Sequence, residues 1–124
     1  MKNELNAVNN ISKLYKEISN ILRNARANAY KAVNFAMVTS YWSIGQVIVE
    51  DEQNGNEHAE YGKTVLEGLS KKLTAEFEKG FDESNLRYMR LFYQTFKNCD
   101  ALRHELTWSH YRMLLRVKDE TDRN

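Results

Sequence analysis

Arg87, Arg90, Gln94 and Lys97 follow one another at intervals of three, four and three residues. That spacing lines long side chains along one face of a helix. An apolar row, Leu86, Met89, Tyr93 and Phe96, runs parallel to it with the same rhythm. One face to bury beside one presenting long donors is what a DNA recognition helix requires, because phosphates and base edges must both be reached. On this reading Arg87, Arg90 and Lys97 neutralise phosphates, and Asn85 or Gln94 reaches base edges, with Ser84 as a further short polar group. Arg112 and Arg116, one turn apart further on, either extend the positive surface or pair with Asp119 and Glu120. The same pattern describes any surface helix with a solvated basic face. Trp42, Trp108 and the seven tyrosines are read as core and packing residues rather than as platforms for bases.

Other chemistries find no residues to carry them. His58, His104, His110 and the single Cys99 offer neither a ligand pair four residues apart on a helix nor a Cys-x-x-Cys, so no metal is expected. The glycines at 45, 55, 62, 68 and 80 are too scattered for a phosphate-binding loop, and no cofactor is expected. Nucleases of the PD-(D/E)xK type need an acid two residues before a lysine, so that both reach one metal-bound water. None of the ten lysines has Asp or Glu there, so this chain is expected not to be an enzyme.

The elements that must hold the basic row are helical. The 124 residues are 42% apolar and 28% charged and contain no proline. They suit one domain, or at most one domain with a helical arm, and exclude collagen-like, proline-rich and apolar-poor disordered chains. Uninterrupted apolar runs such as Phe35 to Val38 are only a few residues long, which predicts no membrane span. The lack of a leader pattern and the lone cysteine predict a cytoplasmic protein. Net charge is +1, but its distribution is uneven. Residues 1–45 carry six bases against two acids, residues 46–60 carry five acids and no base, and residues 61–124 carry twelve bases against ten acids.

Val8, Ile11, Tyr15, Ile18, Leu22, Ala25, Ala29, Ala32 and Ala36 alternate at three and four residues. This heptad seam predicts a long helix or two nearly collinear ones, and its alanine half predicts close approach to another helix. From Val33 the apolar pattern widens around the helix, predicting a central core segment, with Gly45 marking a close helix contact. The acidic stretch Glu50 to Glu57 reads as a solvated turn with a stop at Asn54-Gly55. A helix over Tyr61–Phe77 follows, then a break with Gly80 just past its end and Asp82 as N-cap of a helix over Glu83–Lys97. This pair has the outline of a helix-turn-helix. A break at Asn98 to Asp100, a short helix over Ala101–Leu106, and a last helix capped by Thr107 complete the chain. That last helix turns Trp108, Tyr111, Leu114 and Leu115 inward, and no strand is predicted. The fold class is all-α, with a helical domain over 1–118 and a polar tail or shortened linker over 119–124.

Several stretches, in this order, give the chain a more specific likeness. They are Tyr30-Lys31-Ala32-Val33-Asn34-Phe35-Ala36-Met37-Val38 with Tyr41-Trp42-Ser43-Ile44-Gly45, then Glu60-Tyr61-Gly62-Lys63 with Leu69-Ser70 and Leu73-Thr74. Gly80-Phe81 follows with Asn85-Leu86, Met89-Arg90 and Phe92-Tyr93, and then Leu106-Thr107-Trp108-Ser109-His110-Tyr111 with Leu114-Leu115-Arg116-Val117. Together they resemble the opening domain of the YhcG-type bacterial proteins over nearly all of residues 20–118. The resemblance implies a helical N-terminal domain that binds DNA or a partner, followed in the family by a PD-(D/E)xK nuclease domain. It implies that this chain is the N-terminal module alone, either an isolated domain or a naturally shortened copy. It supplies no DNA-contact residues, which rest on the basic row. Two functions are therefore expected: a non-catalytic module that helps a nuclease bind duplex or branched DNA, or an interaction domain that forms a homodimer through the seam of residues 8–36.

Overall fold

The computed structural model describes residues 2–54 and 58–123, with the side chains of 120–123 left aside. Helix α1 spans Lys2–Gln53, α2 spans Ala59–Phe77, α3 spans Glu83–Thr95 and α4 spans Trp108–Arg123. A single 3₁₀ turn at Cys99–Ala101 lies between α3 and α4, and the described residues contain no strand. The protein is all-α. It divides into a first unit, residues 1–33, and a second unit, residues 34–124.

The first unit is the N-terminal part of α1. Its large apolar residues find no cover there: Val8, Ile11, Ile18 and Leu22 are each more than half exposed, and Tyr15 is 71% exposed. The alanines at 25, 29 and 32 are exposed as well. The close packing expected of this stretch is thus not supplied within the first unit.

The second unit holds the core. Val38, Trp42, Phe92, Leu102, Tyr111 and Leu115 form one buried cluster, and Ile48, Leu66, Leu86 and Met89 form the other, with Trp108 packed against both. Burying such side chains stabilises by about 1.5–3 kcal/mol each before entropy is counted. Leu86, Met89 and Phe92 of α3 are fully buried, so α3 is the central helix on which the others pack. Gly45 explains how α1 comes so close. A β-carbon at that position would lie 2.0 Å from the Met89 carbonyl oxygen and 2.8 Å from its carbon. Only glycine leaves room for the α3 backbone.

The junctions show which local signals were sufficient. Asp82 caps α3 as expected, its side chain accepting from the Asn85 N–H at 2.7 Å. Thr107 caps α4 jointly with His110: the Thr107 N–H donates to His110 Nδ1 at 3.1 Å, and the His110 N–H to Thr107 Oγ1 at 3.4 Å. Elsewhere the expectations need correction. After Phe77, Glu78 itself takes the positive φ of 68°, and Gly80, at φ 98°, shapes the approach to Asp82 instead. The expected helix over Ala101–Leu106 is replaced by the 3₁₀ turn, whose start Asn98 caps by accepting from the Asp100 N–H. Leu114 is 52% exposed rather than inward, because the α4 positions that face the core are 111 and 115. Tyr15 and Tyr30 are also exposed, unlike the buried Tyr111.

The acidic turn begins later than its composition suggests. Helix α1 continues through Glu50, Asp51 and Glu52 to Gln53, and Gly55 lies outside the described residues. Carboxylates at a helix C-terminus oppose its dipole at a cost of about 0.3–1 kcal/mol. Here two of them are held by other helices: Tyr61 Oη donates to Asp51 at 3.1 Å, and Arg90 pairs with Glu52 at 2.9 Å. Helix α4, for its part, runs on to Arg123 through the residues expected as a polar tail. The expectation from apolar runs also meets a qualification. Helix α1 contains an 18-residue window with mean hydropathy 1.2, long and apolar enough by composition to cross a membrane. Run length counts only uninterrupted apolar residues, whereas a window average tolerates polar ones. Core helices of folded domains can have the same property, although only 22% of this window is buried.

Candidate nucleic-acid interface

Helix α3 carries most of the predicted basic row, but being central it has little surface to spare. Of its thirteen residues only Arg87 and Gln94 are exposed, two turns apart on one side. Ser84, Tyr88, Arg90 and Leu91 beside them are half-buried. Together with Asp119 they line a shallow cleft of about 310 Å³. A second cleft of about 300 Å³ shares Arg87 and Arg90 with Glu52, His58, Lys63 and Glu83, and so mixes both charges.

Asn85 is not on this face. It is only 6% exposed. Its Oδ1 accepts from Trp108 Nε1 at 2.9 Å, and its Nδ2 donates to the Gly80 carbonyl. The amide ties the α2–α3 link to the start of α4, and both its ends are spent inside the fold. Arg90 is half-buried, with Nη1 on the Glu52 carboxylate. Lys97 lies beyond the helix, because α3 ends at Thr95 and Phe96 leaves helical geometry at φ −111°, ψ 80°. The Phe96 carbonyl accepts from Trp42 Nε1, which fixes where the chain turns away. The row expected to run from Arg87 to Lys97 is therefore helical only as far as Gln94, although Lys97 is itself exposed.

Arg112 and Arg116 behave differently from one another. The Arg112 guanidinium lies 4.8 Å from the centre of the Tyr88 ring, and its Nε is buried without a hydrogen-bond partner among the described residues. The ring face holds the cation against α3, a contact worth about 0.5–2 kcal/mol. Arg116 is exposed and, with Arg112, Ser109 and Met113, lines a small depression on α4. Lys118 Nζ reaches Thr95 Oγ1 at 3.4 Å, joining the end of α3 to α4.

Sequence reasoning missed Glu52 and Tyr88, the two residues that decide what Arg90 and Arg112 can do. Glu52 lies 38 positions from Arg90, and no local pattern links them. Two tyrosines are electrostatically perturbed. Tyr61 is pushed above the usual tyrosine value by its hydrogen bond to Asp51, and Tyr41 by burial. Among the described residues, no group of three or more His, Cys, Asp or Glu side chains is placed to hold a metal ion.

Comparison with known proteins assigns this arrangement to a family. The model of the DUF1016 N-terminal domain matches residues 17–124. The chain belongs to the DUF1016 N-terminal domain family. A relative from Escherichia coli (strain K12), named "Putative nuclease YhcG", is 38% identical over 87 residues. Those residues are 70% of this chain but only 23% of the relative's length, so the chain spans under a quarter of that protein. No solved structure matches. The DUF1016 N-terminal match takes in α2, α3, α4 and most of α1.

Proposed function

We propose that this domain is a non-catalytic helical module that helps a PD-(D/E)xK-type nuclease domain engage DNA. The observation that carries the reading is the paired exposure of Arg87 and Gln94 on α3, with Arg116 exposed on α4. The family membership adds the nuclease association, through the name of the E. coli relative. With Asn85 buried and Arg90 paired, the proposed contact is chiefly to phosphates. Arg87, Lys97, Arg112 and Arg116 supply charge, and Gln94 is the one base-edge candidate left on the surface. The helix-turn-helix outline then describes an α2–α3 hairpin whose second helix offers DNA a narrow face. Such a face favours recognition of backbone shape over sequence.

The test is a gel shift comparing linear duplex, single strand and a four-way junction at two salt concentrations. Each neutralised phosphate contributes about −0.9 to the slope of log affinity against log salt on duplex DNA. Arg87→Ala with Arg116→Ala is expected to weaken binding and flatten that slope by about 1–2. Unchanged affinity and slope in the double variant would remove these residues from the interface. No binding to any of the three substrates would remove the DNA reading itself.

A second reading has its own support. The uncovered apolar seam of the first unit favours self-association through α1, because contiguous exposed apolar surface of this extent marks an interaction site.

A further inference from the structure

The apolar side of the first unit changes character half-way along. Leu14, Tyr15, Ile18, Ile21 and Leu22 are 53–71% exposed, while the positions that continue the seam are Ala25, Ala29 and Ala32. We infer that a second copy of this chain covers this side, lying antiparallel, with Tyr15, Ile18 and Leu22 of each copy seated on Ala32, Ala29 and Ala25 of the other. The inference rests on the self-association reading and adds the partner, the direction and the register.

The argument is one of size matching. In heptad terms residues 15, 22 and 29 occupy one seam position, and 18, 25 and 32 the other. Antiparallel helices pair the two kinds of position across the seam. With the two-fold axis between residues 23 and 24, the pairs are 15 with 32, 18 with 29 and 22 with 25, each occurring twice. All six layers then join one large side chain to one alanine. The gap between the helices is constant along the whole contact.

A parallel pair would stack large on large at one end and alanine on alanine at the other. Interaxial distance follows side-chain size over about 8–10 Å, so those helices would splay. An unrelated partner would need large residues and alanines in the reversed order, and a second copy supplies that order through two-fold symmetry alone. The five large residues each expose on the order of 100 Å² of apolar surface. With the alanines, each copy would bury roughly 600 Å², the lower end for a specific interface.

The charges permit this pairing and give it a signature. Lys13, Lys16, Glu17, Arg23 and Lys31 lie off the seam, whereas Arg26 of each copy flanks it beside the axis. Added salt screens the repulsion between these two cations and is expected to strengthen the dimer rather than weaken it.

The experiment uses the chain itself, with sedimentation over a range of concentrations and helicity followed by circular dichroism. A dimer is expected, and Ala29→Ile should weaken it at least tenfold by overfilling the layer with Ile18. The exchange variant Ile18→Ala with Ala29→Ile should restore it, because every layer is again one large and one small. Spin labels on Ser12→Cys in a Cys99→Ser background should lie about 35 Å apart, from the 1.5 Å rise per residue. A monomer at all concentrations would overturn both this inference and the self-association reading. A dimer with labels under about 20 Å apart, or one strengthened by Ala29→Ile, would overturn the antiparallel register alone.

Discussion

Replacing Gly45 by alanine tests the central helix contact, because two opposing effects can be weighed. Within a helix, glycine to alanine ordinarily stabilises by about 1 kcal/mol, through backbone entropy and propensity. At Gly45 the new β-carbon would stand 2.0 Å from the Met89 oxygen, 2.8 Å from the Met89 carbon and 3.0 Å from Tyr93 Cβ. The nearest obstacle is backbone of a fully buried helix, so no side-chain rotation relieves it. The facing segments of α1 and α3 must part by about 1 Å, and a gap of that order forfeits a quarter to a half of each contact's dispersion energy. Leu86, Met89 and Phe92 on α3, all fully buried, would feel that separation. Overpacking costs about 1–3 kcal/mol, and the upper part of that range applies where backbone must move. After the propensity gain, the net loss is about 2 kcal/mol. For a unit of this size that lowers Tm by roughly 8–16 °C. Gly68 is the matched control, since it is also helical and a β-carbon there would meet nothing within 4 Å. Gly68→Ala is expected to raise Tm by a few degrees. Calorimetry or thermal circular dichroism on both variants decides the matter. A Gly45→Ala protein as stable as the parent would refute the reasoning.

Three further outcomes are expected. Asn85→Ala removes the partner of the half-buried Trp108 N–H and of the Gly80 carbonyl, so chemical denaturation should show a loss of about 1–2 kcal/mol together with a change in tryptophan fluorescence. A double-mutant cycle on Arg90 and Glu52, which are 28% and 22% exposed, should give a coupling below about 1 kcal/mol that shrinks with salt. A coupling of several kcal/mol would show that the pair is better desolvated than its exposure indicates. Tyr61 and Tyr41 hold their protons more tightly in the folded state than in the unfolded chain. Their contribution to stability is therefore complete below the ordinary tyrosine value of 10.0 and is lost as pH rises through the higher folded values. Tyr61→Phe should remove part of that alkaline decline, and an unaltered decline would exclude the Asp51 hydrogen bond as a source.

Much of the helical architecture was legible because it depends on local rules. The seam residues from Val8 onward, the Asp82 and Thr107 caps and the close approach at Gly45 all follow from spacing or from a single side chain. The candidate site was legible only in part. Arg87 and Gln94 are on the surface of α3, but helical spacing cannot tell how wide the solvent-facing strip will be. Leu86, Met89 and Phe92 pack against other helices on more than one side, and this leaves two exposed residues where a longer row was expected. Asn85 illustrates the same limit. Two residues before Arg87 it reads as a polar surface group, yet its partners Gly80 and Trp108 come from elements joined only in three dimensions.

The residue order alone determines that this chain is helical, that residues 8–36 keep one apolar seam, and that large residues give way to alanine along it. Periodicity and size are properties of neighbours a few positions apart, so they need no fold to be read. Only tertiary structure decides which polar groups remain free. Glu52 meets Arg90, Tyr88 meets Arg112, and Asn85 bridges the α2–α3 link and the start of α4, because helices distant in sequence are brought together by burial of the two core clusters. Electrostatic and hydrogen-bond partners follow from that packing, since the apolar contacts set helix positions and the charges pair with whatever those positions bring within reach.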